Sequence, residues 1–87
     1  MTDMRAKLKI TYIQESFWGK DGAKSGEALS FCAVCKPKYD ETGLDEDNTF
    51  AMMSPSADLR IQIANPALWG KFAVGETFYL DFTKAEA

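Results

Sequence analysis

The first residues that could do chemistry are two cysteines in the spacing Cys32-Ala33-Val34-Cys35. A zinc centre would need two more thiolate or imidazole ligands, and the chain has no third cysteine and no histidine. A dithiol redox site would need its first cysteine at a helix N-terminus, whereas both of these fall in a strand-like pattern. Along a strand, positions three apart face opposite sides about 10 Å from each other, beyond the roughly 7 Å that a disulfide spans. The pair reads as two small apolar residues of a reduced protein.

The second candidate is the run DETGLDED at 40–47, where Asp40, Glu41, Asp45, Glu46 and Asp47 stand together without a base. An EF-hand loop would continue with Asx and Gly, but Thr49 and Phe50 occupy those places. No dedicated metal site and no cofactor is expected; the loop reads as solvated, keeping a sheet edge soluble or docking on a basic partner, with adventitious calcium or magnesium as its other use. General acid–base work would need two carboxylates across a cleft. Glu76 and Asp81 instead flank an alternating strand and are expected to face water. Without histidine there is no Ser-His-Asp or Cys-His arrangement either, so no enzyme is expected. A last chemical option is an OB-like single-strand binder, with Lys7, Lys9, Lys36 and Lys38 tracking phosphates and Tyr39 or Trp18 stacking on bases. Against it stand a net charge of −3 and the inward positions of most aromatics.

These residues need elements to hold them. At 87 residues, 46% of them hydrophobic, the chain is long enough for one modest core and too short for a two-lobed enzyme. No apolar run reaches the ~20 residues of a membrane-spanning helix, and the start MTDMRAKLK has no hydrophobic stretch behind its charges. Neither a membrane nor a secreted protein is expected. The dominant period is two. In RAKLKITY, Leu8, Ile10 and Tyr12 alternate with Lys7, Lys9 and Thr11. GKDGAKSG at 19–26 is turn chemistry. EALSFCAVC places Leu29, Phe31, Ala33 and Cys35 on one face and small or apolar residues on the other, which predicts a central strand covered on both sides. TFAMM reads as a short strand ending at Ser54-Pro55-Ser56. DLRIQI and TFYLDF alternate cleanly, with Leu59, Ile61, Ile63 and Phe78, Leu80, Phe82 inward.

Between those last two runs, Asn65-Pro66-Ala67-Leu68-Trp69-Gly70 carries a capping residue, a proline at the first helical position and a stopping glycine. It predicts one helical turn near residues 65–70, with Leu68 and Trp69 over one end of the sheet. The sum is a single mainly β domain, 1–87. We expect a small antiparallel barrel or sandwich of about five strands with an acidic loop at about 37–48. Phe17, Trp18, Met52, Met53, Leu68, Trp69, Phe72 and Tyr79 cannot all be interior to so small a domain. Surplus apolar residues on a soluble chain mark a contact surface, and Trp18, Leu68, Trp69, Phe72 and Tyr79 are its candidate residues.

Residues 45–87 also resemble small uncharacterised proteins of tailed bacteriophages. The likeness is carried by Glu46–Phe50, the Ser54-Pro55-Ser56 turn, the Asn65-Pro66-Ala67-Leu68 corner with Gly70-Lys71-Phe72, and the ending from Gly75 through Phe78-Tyr79-Leu80-Asp81-Phe82-Thr83. None of these motifs is catalytic. The resemblance implies a non-enzymatic phage protein, a head-decoration or minor structural component of the virion. Such a protein would bind coat or neighbouring subunits, or associate with itself as a homo-oligomer. The alternative is an intracellular phage protein in the host cytoplasm that binds single-stranded nucleic acid or a host protein.

Overall fold

The computed structural model describes residues 3–86. Its strands are β1 (Met4–Ser16), β2 (Gly26–Ala33), β3 (Asp58–Ile63) and β4 (Thr77–Phe82). They form one antiparallel sheet in the order β3-β2-β1-β4. The expected barrel or sandwich of about five strands is therefore corrected to an open sheet of four. β3 and β4 are its two edges, and they are joined by a connection, residues 64–76, that crosses the sheet instead of closing it. β2 is central, as its two-sided composition predicts.

The fifth expected strand, TFAMM, does not form. A single bridge links Leu44 and Met52. Met53 and Ser54 then take φ of 55° and 26°, left-handed values that end an extended run. The backbone groups of this segment are satisfied elsewhere: the Thr49 N–H donates to the Arg5 carbonyl at 2.9 Å and the Met53 N–H to the Gly43 carbonyl at 2.6 Å. The predicted turn at 65–70 does form. Pro66–Leu68 is a single 3-10 turn, capped by the Asn65 side chain accepting from the Ala67 N–H at 3.1 Å.

Register assigns the faces. Leu8 pairs with Ala33 and Ile10 with Phe31, but the next pair is Tyr12 with Ser30, so the register slips between Ile10 and Tyr12. A bulge of this kind inserts one unpaired residue and reverses the side-chain alternation beyond it. Ile13, opposite Leu29, inherits the apolar face, and Tyr12 moves to the polar one. The expectation that Tyr12 shares a face with Leu8 and Ile10 is thus overturned by one extra residue. The apolar face continues through Leu59, Ile61 and Ile63 of β3 and Phe78, Leu80 and Phe82 of β4. The polar face carries Arg5, Lys7, Lys9, Arg60, Gln62, Tyr79 and Asp81.

Among the described residues the buried hydrophobic core is small: Ala6, Leu8, Ile10 and Leu29 on the apolar face, and Ala28 on the other. Two connections lie over parts of the apolar face. On one end, Phe72 stacks edge-on against Phe78 at 5.6 Å, and Phe78 against Phe31 at 6.4 Å. There the Gly75 N–H donates to the Ile10 carbonyl and the Ile10 N–H to the Glu76 carbonyl, which fixes the end of the crossover. On the other end Phe50, Ser56 and Ala57 approach β1 and β4. Among the described residues no second layer of strands or helices completes the burial. The molecule is correspondingly flat, 57 × 34 × 17 Å, and its 15.9 Å radius of gyration exceeds the roughly 12 Å of a compact domain this long.

Candidate functional site

The apolar face is the largest feature without an internal partner. Ile61 on edge strand β3 is 47% exposed, and Phe78 and Phe82 on edge strand β4 are 38% and 45% exposed. All three share the face with fully buried Ile10 and Leu29, so the core runs out to both edges without a lid. At the end nearest the chain's start the face deepens into a groove of about 200 Å³, walled by Met4, Ala6, Leu8, Leu59, Leu80 and Phe82. At the opposite end of β1, the loop 17–25 carries Trp18, 89% exposed, next to exposed Phe17.

That loop is short and internally bonded. The Trp18 N–H donates to Ser25 Oγ at 3.1 Å, the Ser25 N–H to the Ser16 carbonyl at 2.8 Å, and the Gly19 N–H to the Ala23 carbonyl at 2.9 Å. Asp21 and Gly22 turn the chain at its tip with φ of 59° and 77°. Beneath the loop lies a polar lock. Lys24 Nζ meets Glu27 at 2.7 Å and Glu15 at 3.4 Å, and sits 5.1 Å from the centre of the Trp69 ring. Glu27, buried in the apolar face, also accepts from the Gly70 N–H at 3.2 Å. The Lys24 hydrogen bond, seconded by Gly70, holds the Glu27 carboxyl below its ordinary range although burial opposes this; the same bond raises Lys24. Trp69 is braced rather than free, its indole N–H donating to the Ile63 carbonyl at 2.9 Å.

Part of the polar face, between β1 and β4, is paired internally. Arg5 Nε meets Asp81 at 2.6 Å, and its guanidinium lies 4.3 Å from the centre of the Tyr79 ring. The Tyr79 hydroxyl donates to Asp47 at 2.9 Å, and Lys7 Nζ faces the same carboxylate at 3.6 Å. The hydrogen bond from Arg5 to Asp81 raises Arg5 and lowers Asp81, and the bond from Tyr79 to Asp47 raises Tyr79.

The acidic loop is only partly the solvated one expected. Asp45 is buried and Asn48 is completely so. Asn48 Oδ1 accepts from the Lys7 N–H at 2.8 Å, while its Nδ2 donates to the Val34 carbonyl at 2.8 Å and to Asp45 at 3.1 Å. This one side chain therefore joins the loop to β1 and to the end of β2. Burial pushes the Asp45 carboxyl up, but hydrogen bonds from Asn48 and the Asp47 N–H outweigh it and hold the group low. Asp40 caps its own turn, accepting from the Thr42 N–H at 2.9 Å and from the Thr42 hydroxyl, which keeps it low as well. Only Glu41 and Glu46 stand exposed without such a role. Among the described residues no three cysteine or carboxylate side chains converge on a common point.

Of the five expected contact residues, Trp18 and Tyr79 are well exposed but stand on different parts of the molecule, the hairpin tip and the polar face. Leu68 is exposed on the crossover, and Trp69 and Phe72 are half-buried there in intramolecular contacts. They do not form one patch. Of the four lysines proposed for phosphates, Lys7 is paired with Asp47, and Lys36 stands over Tyr39 beside Asp40 and Asp45. Lys9 and Lys38 are exposed. β2 stops at Ala33, so Cys35 lies beyond the strand rather than within it, and both thiols are free. Sequence reasoning missed Asn48, Lys24 and Glu27. The signals were an Asx residue three positions after Asp45, and a carboxylate in the inward register of β2. Among the described residues no helix is long and apolar enough to cross a membrane.

No protein-family model matches the chain, and comparison with curated proteins and with solved structures gives no match.

Proposed function

We propose that the chain is a non-enzymatic structural protein, a phage virion component that docks through the apolar face of its sheet onto neighbouring subunits, whether coat or copies of itself. The observation that carries this reading is the unfinished core: Ile61, Phe78 and Phe82 remain between a third and a half exposed beside side chains that are wholly buried. In a chain of this size such a face is completed by another protein. The phage setting rests on the resemblance of residues 45–87 to small phage proteins.

The single-strand reading loses ground to the same geometry. A phosphate-tracking surface needs free cations, and of its four lysines Lys7 and Lys36 are already offset by Asp47 and by Asp40 and Asp45, which leaves only Lys9 and Lys38 to track phosphates.

The test is quantitative mass spectrometry of particles purified from cells infected with the source phage, using the natural protein and an Ile61→Glu variant. The reading predicts the chain in purified particles and its loss with Ile61→Glu while the variant stays folded. Absence of the natural protein from clean particles would remove the virion role. Equal incorporation of both forms would remove the apolar face as the contact.

A further inference from the structure

We infer that the chain assembles head to tail with further copies of itself, the Trp18 tip of one copy seating in the apolar groove of the next. The inference rests on the protein-docking reading above and names the partner. The tip follows Ser16 and the groove begins at Met4, so the two lie at opposite ends of β1, about 40 Å apart at ~3.3 Å per residue. A knob at one end and a hole at the other cannot satisfy each other within one flat molecule. They can do so between successive molecules, and a contact between two different patches is heterologous, closing into a ring or running on as a filament.

Shape and chemistry agree. The groove has about 200 Å³ of space, its walls are apolar except for Ser56 and Asp58, and one side opens past half-exposed Phe82. Trp18 is the most exposed large apolar side chain of the described residues, and buried tryptophans dominate the energetics of protein contacts. The tip is already bonded into shape through Ser25, Ser16 and Ala23, so little order must be gained on docking. Charge is complementary too. Lys20, two residues from Trp18, is exposed and makes no ion pair among the described residues, and Asp58, exposed on the groove rim, makes none either.

Area gives the same answer. The chain exposes 6521 Å², against about 5,100 Å² for a globular monomer of its mass. The excess is about 1,400 Å². That is comparable with the ~1,600 Å² of surface that a standard interface buries in total.

The experiment is native mass spectrometry of the full chain, with two variants that each spoil one side of the contact. Trp18→Glu removes the knob, and Phe82→Glu puts a charge in the groove wall; circular dichroism confirms that each is folded. The natural chain is expected to give species of three or more copies, and each variant alone single chains only. An equimolar mixture of the variants is expected to give heterodimers and nothing larger, because one good knob meets one good groove. Should Phe82→Glu fail to fold, Ala57→Trp, which fills the groove from its loop side, takes its place. If Trp18→Glu assembles as the natural chain does while Ile61→Glu stays single, the tip is not the contact, though the docking face survives. If the natural chain stays single at every concentration yet is present in particles, self-assembly is wrong and coat docking remains.

Discussion

The two faces of the sheet are made by the same four strands and end in opposite conditions. On the polar face the side chains around β4 have found neighbours, Arg5 with Asp81 and Tyr79, Lys7 and Tyr79 with Asp47, while Lys9 and Arg60 stand exposed. On the apolar face the centre is sealed over Leu8, Ile10 and Leu29, while the edges at Ile61 and Phe82 face outward. Polar groups can be satisfied in pairs within one layer, because a hydrogen bond or ion pair is short and directional. Hydrophobic burial is proportional to area, and one layer with two crossing loops does not supply enough of it. A flat sheet can thus satisfy much of its polar side alone, whereas the edges of its apolar side stay uncovered.

This contrast can be broken at its sealed centre first. Leu8→Ala removes a buried side chain from under the crossing loops and should cost about 2–5 kcal/mol, read as a large drop in the urea midpoint, and enough to unfold so small a domain. A loss below about 1 kcal/mol would mean that the crossing loops do not enclose Leu8. Asn48→Ala should follow at about 1–3 kcal/mol, because it leaves the Lys7 N–H and the Val34 carbonyl without partners. Hydrogen exchange should show the 34–57 segment loosening before the rest.

The polar lock predicts a dependence on pH. Glu27 in the lock and Asp45 in the acidic loop have carboxyls held below their ordinary values. Their contribution is fully present above the unfolded carboxylate pKa of about 4. It is lost as the pH falls through the lowered folded values. Thermal stability should therefore be flat from neutrality down to mild acid and then fall. Glu27→Gln should lower stability at neutral pH and flatten part of that acid loss. An acid limb identical to the natural chain's would show that Glu27 is not coupled to Lys24 and Gly70. The smallest effect belongs to the exposed pair on the polar face. Asp81→Asn should leave the melting temperature almost unmoved, since an ion pair in contact with water contributes little.

How much of this was legible in the sequence differs from element to element. Period-two runs marked β1, β2, β3 and β4, and Asn65-Pro66 marked its turn, because alternation and capping are local properties. The inserted residue between Ile10 and Tyr12 was invisible, since a bulge is a property of two strands in register and shows only when β2 lies beside β1. The openness of the sheet was invisible for a similar reason. Alternation at β3 and β4 says which face is apolar and nothing about what lies across from it. TFAMM has strand-like residues, yet its backbone is claimed by Arg5 and Gly43. At the candidate site, the exposure of Trp18 was expected. The bracing of Trp69 by Ile63 and Lys24, and the burial of Asn48 among acids, depend on contacts far apart in the chain and could not be seen.

The central claim, that the apolar face is an interface between protein chains, is tested most directly by sedimentation equilibrium of the natural chain and Ile61→Glu over a wide concentration range. We predict an average mass that climbs well above the single-chain 9.7 kDa for the natural protein. The variant should have the same far-ultraviolet spectrum and remain at the single-chain mass or close to it. Natural and variant chains that associate equally would contradict it; chains that both stay single at millimolar concentration would contradict self-association and leave a different protein as the partner.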